Sequence, residues 1–221
     1  MGLRGILVVA GLATGSVLVA GRAVSQEGGG PAPPAPAEVK KEFRGADYRE
    51  YSEAERMARM TVASTPNRFH ERLGRHVGDW EFDMTMWMEP GKPPMVTRGT
   101  SRISWLFEGK WVKEDVKSSM MGMPFEGVSI LGYDNFKKKY VGVWVGNMGT
   151  AFTTFEGNYG MDDRVLQMFG TMDEPMTGES DKPAKFVVRE VSADEFVFEI
   201  HDLEIGESNT KVIEMKYKRK K

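Results

Sequence analysis

The chain has 221 residues, 40% hydrophobic and 10% aromatic, enough apolar material for one packed domain and too much for wholesale disorder. It has no cysteine, so disulfide staples, thiolate metal centres and cysteine nucleophiles are excluded together. Thirty basic against thirty-two acidic residues leave a net charge of −2, which gives no overall electrostatic case for a nucleic-acid partner.

Residues 1–25 read as a signal peptide. Arg4 gives a positive start, Ile6 to Ala20 carry no charge, and Ala23-Val24-Ser25 place small residues where a signal peptidase cuts. Gly5, Gly11, Gly15 and Gly21 interrupt the apolar run, which is short for spanning about 30 Å of hydrocarbon. Cleavage is therefore expected rather than retention as an anchor, with no stable membrane insertion afterwards. That predicts an exported protein, periplasmic or secreted, of a bacterial cell envelope. A chain without cysteine needs no oxidative folding there. Residues 26–46 form a Gly/Pro/Ala-rich linker, and residues 26–37 offer almost no side chains for packing.

Residues 47–77 carry helical signals. Residues 47–63 lack Gly and Pro, and Tyr51, Ala54, Met57 and Ala58 make a modest apolar stripe. Thr65-Pro66 reads as the N-cap and first position of a second helix. Phe69, Leu73 and Val77 then follow at intervals of four, and Gly78 ends the element.

From Trp80 the apolar period changes to two. Trp80, Phe82, Met84, Met86 and Met88 alternate with Glu81, Asp83 and Thr85 until the Pro90–Pro94 break. Nine similar segments follow, at 96–107, 111–119, 125–133, 140–147, 150–158, 165–171, 185–191, 195–202 and 211–219. Gly- and Asp-rich turn clusters separate them. Ten strands on such short links predict antiparallel neighbours. The fold class is mainly β, a closed antiparallel up-and-down barrel of about ten strands over residues 78–221, preceded by one or two short helices. Alternation supports closure. Ile213, Met215, Tyr217 and Arg219 oppose Glu214, Lys216 and Lys218, and Phe196, Phe198 and Ile200 oppose Glu195 and Glu199. A ten-strand sandwich is the alternative.

Gly78-Asp79-Trp80 opens the first strand directly after a helix, and Arg219 lies near the end of the last. This resembles the lipocalin and fatty-acid-binding (calycin) pattern, and it implies that Trp80 plugs the closed end with Arg219 over its face. A closer resemblance covers about the last 155 residues. Val77-Gly78-Asp79-Trp80-Glu81, Met121-Gly122-Met123-Pro124-Phe125-Glu126-Gly127 and Leu131-Gly132-Tyr133-Asp134-Asn135 carry it. Asp173-Glu174-Pro175-Met176-Thr177-Gly178 and Glu214-Met215-Lys216-Tyr217-Lys218-Arg219 continue it in order. The chain is similar to DUF1579, a family of uncharacterised bacterial proteins, which implies a lipocalin-like barrel and no settled activity. In that family an acidic residue usually precedes Asn147; here Gly146 stands there.

Enzyme motifs are mostly absent, and no catalytic residue is assigned. Gly127-Val128-Ser129-Ile130-Leu131 fails the nucleophile-elbow pattern at its last position. His70-Glu71 begins like a zinc-protease helix, but the second histidine would fall at Gly74. His70 and His76 lie six apart, about 240° around a helix, and cannot share a metal. Hydrolysis has no support in the sequence.

A small apolar molecule in the barrel cavity is the favoured partner, with Met84, Met86, Trp105, Trp144, Phe196, Phe198, Met215 and Tyr217 as candidate lining. The alternative is a solid-core barrel in which these residues fill the interior. The protein would then serve interaction or structure in the envelope through surface loops at 120–124 and 173–182. No cofactor is expected. Some calycin-like barrels hold haem through one histidine, but period-two counting puts His201 on the outward, Glu199-bearing face. Met84, Met86 and Met88, with Met120, Met121 and Met123, resemble thioether Cu(I) sites, yet the first three share a face with Trp80 and Phe82 as core would. The basic C-terminus from Lys216 to Lys221 reads as a solvated strand end rather than a membrane or nucleic-acid contact. Oligomeric state is left open.

Overall fold

The computed structural model of the chain describes residues 51–221 apart from 90, 176 and 206–209. The expected signal peptide and linker, and the first residues of the expected helical region, 47–50, lie outside the described residues. The chain divides into two units, residues 51–59 falling in one and Met60–Lys221 in the other. In the first, Ser52 and Glu55 cap the start of helix α1 (Glu53–Ser64). The Glu55 carboxylate accepts from the Ser52 N–H at 2.8 Å, and the Ser52 hydroxyl accepts from the Glu55 N–H at 3.3 Å.

In the second unit, α2 (Arg68–Leu73) starts later than Thr65-Pro66 suggests. Asn67 is the N-cap: its side chain accepts from the Phe69 N–H at 3.0 Å, while His70 Nδ1 accepts from the Asn67 N–H at 3.1 Å. That reciprocal box outcompetes Thr65, whose hydroxyl donates instead to Thr61 O at 2.6 Å. The end is also earlier than Gly78. A single 3-10 turn at Gly74–His76 follows α2, and Gly78 is the first residue of the first strand. Glycine is required there, because φ is 144° and a Cβ would strike the Arg219 guanidinium.

Ten strands follow: β1 (Gly78–Met86), β2 (Met95–Leu106), β3 (Trp111–Met120), β4 (Met123–Asp134), β5 (Lys139–Gly146), β6 (Thr153–Tyr159), β7 (Val165–Glu174), β8 (Glu179–Glu190), β9 (Glu195–Asp202) and β10 (Lys211–Arg219). Each pairs antiparallel with the next, and β1 pairs with β10 from Trp80↔Arg219 to Met86↔Ile213. The sheet is a closed meander, so no edge is left unpaired. The sandwich is excluded.

Two segments expected as surface loops are strand ends. Met121 and Gly122, at φ 52° and 78°, form a two-residue turn that keeps Met120 and Met123 in the β3–β4 ladder. Residues 173–182 belong mostly to β7 and β8, which extend past the expected limits at 171 and 185. Ala184 is the first β8 residue to pair with β9, so Pro183 lies beyond that ladder and interrupts nothing in it. Lys182 is 5% exposed and sits among the carboxylates of Glu174 (3.2 Å) and Asp202 (2.7 Å), each 1% exposed, and Glu179 (3.3 Å). Burial alone would depress the lysine, but hydrogen bonds to Asp202 and Glu174 hold it above its ordinary range.

The two barrel ends differ. At one, α2 and the 3-10 turn lie across the opening: the Tyr140 hydroxyl donates to Phe69 O at 2.9 Å, and Asn135 Nδ2 donates to Thr65 O at 2.9 Å. Arg72–Asp163 and Arg75–Glu190 pairs at 2.7 and 2.8 Å fasten the cap to two hairpins. Leu73 is buried beneath it. Trp80 is 1% exposed; its Nε1 donates to His76 O at 2.8 Å, and the Arg219 guanidinium lies 4.1 Å over its ring. Arg219 also donates to Val77 O at 2.8 Å and Arg75 O at 2.9 Å, tying the last strand to the cap.

Candidate functional site

The inward phase of the strands leaves a cavity of about 260 Å³ in the barrel. Leu73 and His76 form part of its floor. Met148, Gly149, Ala151 and Pro175, from connections at the uncapped end, lie at the other. Of the residues proposed from the sequence, Met84, Trp144, Phe196, Phe198, Met215 and Tyr217 come together around this space. Phe196 and Tyr217 stack with centroids 4.2 Å apart, and Trp144 stacks on Phe125 at 6.1 Å. The Trp144 indole occupies the space a Cβ on Gly127 would need.

Two proposed residues are elsewhere. Met86 is buried in the wall without bordering the cavity. Trp105 has the inward parity of Ser101 and Ile103, but it lies at the capped end against Gly74 and is 38% exposed. Parity fixes the face of a strand and not the depth along it. His201 is on the outer face, its Nε2 3.5 Å from Glu199 and its Nδ1 3.1 Å from the Thr210 hydroxyl. Among the described residues no group of three or more His, Asp or Glu side chains is placed to hold a metal. Met120 borders the cavity while Met121 is exposed at the turn, so that methionine cluster is split between the interior and solvent.

The principal polar group inside is one that sequence reasoning passed over. Glu114 shares the inward phase of β3 with Val112 and Val116 and borders the cavity. Its Oε1 accepts from the Ser101 hydroxyl at 2.6 Å and from the Tyr217 hydroxyl at 3.1 Å. Burial among apolar side chains pushes its carboxyl above the usual range, against the pull of those two donors. Burial also raises Tyr217, which stays a phenol and a donor. The signal was available: a lone acid between two valines on the inward side of a strand.

His76 divides the cavity floor from a surface cleft lined by Arg75, Asp163, Glu190 and Arg219. Its ring meets Phe196 edge-on at 4.9 Å, and its Nε2 is buried without a hydrogen-bond partner. Burial lowers its pKa to about 4; Glu190 opposes that shift and Arg75 and Arg219 add to it. The folded state therefore binds the proton less well than the unfolded chain, whose histidine titrates near 6.5. The resulting stabilisation is complete above pH ~6.5 and is lost as pH falls towards 4. About 2–3 kcal/mol of unfolding free energy should disappear over that window in urea melts, and His76→Phe should flatten this part of the profile. An unchanged slope in the variant would assign the acid sensitivity to other groups.

A ten-strand meander closed on itself, capped by a helix at one end and hollow within, defines a lipocalin-like barrel protein. The chain belongs to the family described as Protein of unknown function (DUF1579), whose model matches residues 65–219. Among solved structures it is similar to that of Rv2717c from M. tuberculosis, at 12% identity over 71% of this chain and 100% of that one, with a TM-score of 0.54. A redesigned beta barrel matches at 11% identity over 72% of this chain and 100% of its own, with a TM-score of 0.37. The first likeness is one of fold alone. No curated protein matches the chain.

Proposed function

We propose that the barrel binds a small, largely apolar ligand in its cavity, and that it does so as an exported protein of the bacterial cell envelope. The observation that carries this reading is the cavity itself. A solid core would bring the side chains of opposite walls together, whereas here about 260 Å³ stays open among aromatic and thioether side chains. The volume lies just under the usual range of about 300–1,000 Å³ for small-molecule sites, so a short chain or a single ring system fits best. Export rests on the signal read in residues 1–25.

The other reading, an interaction protein with a filled interior, has one observation in its favour. Phe107, Phe136 and Met161 are exposed in the hairpin connections of the capped end.

Octanol is a suitable neutral probe, read by tryptophan fluorescence because Trp144 borders the cavity. Saturable binding is expected. Gly146→Phe should weaken it at least tenfold, since Gly146 borders the cavity and a Cβ there meets only ordinary contacts at 3.4 Å or more. Failure of octanol to bind, with no ligand mass retained by the exported protein in native mass spectrometry, would favour the interaction reading.

A further inference from the structure

We propose that the cavity selects apolar ligands bearing an ammonium or other cationic N–H group and rejects those bearing a carboxylate, because its charged lining residues are Glu114 and Asp173 alone among the described residues. The proposal rests on the cavity being a ligand site and names the head group that site accepts.

Glu114 is half satisfied. Oε1 takes both protein donors, from Ser101 and Tyr217, and no described residue donates to Oε2. That second oxygen is not sealed in the wall, for the buried unpartnered side-chain atoms belong to other residues. An acceptor facing an apolar cavity with one oxygen unpaired is costly until a donor arrives, and a charged donor gives the strongest bond available there. Asp173, exposed at the uncapped end of β7, uses its Oδ1 to accept from the Asp181 N–H at 3.0 Å and adds a second negative charge at the rim of the cavity. Among the described residues neither lysine nor arginine borders the cavity, so a ligand carboxylate would find no counter-charge and a like charge at Glu114. His76 on the floor is neutral near pH 7 and adds no cation. The faces of Trp144, Phe196 and Tyr217 complete the match, since aromatic rings attract a desolvated ammonium.

The test compares octylamine, octanol and octanoic acid, equal in chain length and different in head group, on the full barrel at pH 8. Octylamine is expected to bind at least tenfold tighter than octanol, and octanoic acid weaker than octanol. Glu114→Gln keeps an oxygen for Ser101 and Tyr217 and removes the charge. It should abolish the preference for octylamine over octanol, while an unchanged thermal melt reports that the barrel is intact. Octanoic acid binding as tightly as octylamine would overturn the proposal and leave the cavity as a ligand site. So would an amine preference that survives Glu114→Gln. If none of the three binds, the ligand-site reading falls and the proposal falls with it.

Discussion

Replacing Lys182 with methionine is expected to destabilise the barrel by about 3–5 kcal/mol, the range for removing one partner from a buried ion pair. Methionine fills most of the space of the lysine stem, so the loss is electrostatic. Glu174 and Asp202 stay 1% exposed and lose the ammonium that lies 3.2 and 2.7 Å away. For a domain of this size the melting temperature should fall by roughly 10 °C. The pH dependence distinguishes this cause from poor packing. Acid neutralises the buried carboxylates that the ammonium offsets, so low pH should relieve the penalty in the variant. The gap to the unmodified protein should therefore narrow between neutral pH and about pH 4–5. Lys182→Met combined with Asp202→Asn should recover part of the loss at pH 7. A penalty that stays constant with pH would mean that shape, and not charge, is what Lys182 supplies.

Trp80→Ala should cost a comparable 3–5 kcal/mol, for a different reason. The indole is 1% exposed, meets Phe196 edge-on at 4.8 Å and lies under the Arg219 guanidinium. Truncation leaves a void beside the cap, strips His76 O of the 2.8 Å indole hydrogen bond and takes the aromatic face from Arg219. Trp80→Phe keeps a ring and loses the donor, so it should cost distinctly less. Denaturant melts of the two variants read the difference directly. A loss below about 1 kcal/mol for Trp80→Ala would show that the other anchors of the cap, Tyr140 to Phe69 and Arg72 to Asp163, suffice to hold that end.

The barrel was legible because a water-soluble closed sheet writes its two faces into alternate residues. Strands β9 and β10 match the expected limits residue for residue, although the β10 alternation slips at the bulge between Lys211 and Ile213, where Val212 is buried beside Ile213. Limits were misjudged where a local signal competed with a long-range one. The expected start of the eighth strand is 185, yet β8 starts at Glu179, with Pro183 inside it and beyond the ladder with β9. Thr65-Pro66 reads as a helix start, yet the Asn67–His70 box takes that role. The ion group around Lys182 unites residues that are eight and twenty apart in sequence, and only the register of three strands brings them together. For the site, parity placed Met84, Phe196, Phe198, Met215 and Tyr217 on the inward face. It could not say that Trp105 lies at the capped end, because depth depends on where the helix seats. Glu114 was missed by attending to apolar residues, although its polarity at an inward position is the more informative deviation.

The last strand runs towards the sealed floor: Arg219 is bound into the cap, and the Lys220 N–H donates to Asp79 O at 2.9 Å. The chain after Arg219 therefore emerges at the pole opposite Met148 and Pro175. A reporter fused after Lys221, or a sensor chip coupled there, leaves the uncapped end facing free solution. The orientation an immobilised assay needs is already set by the direction of the chain.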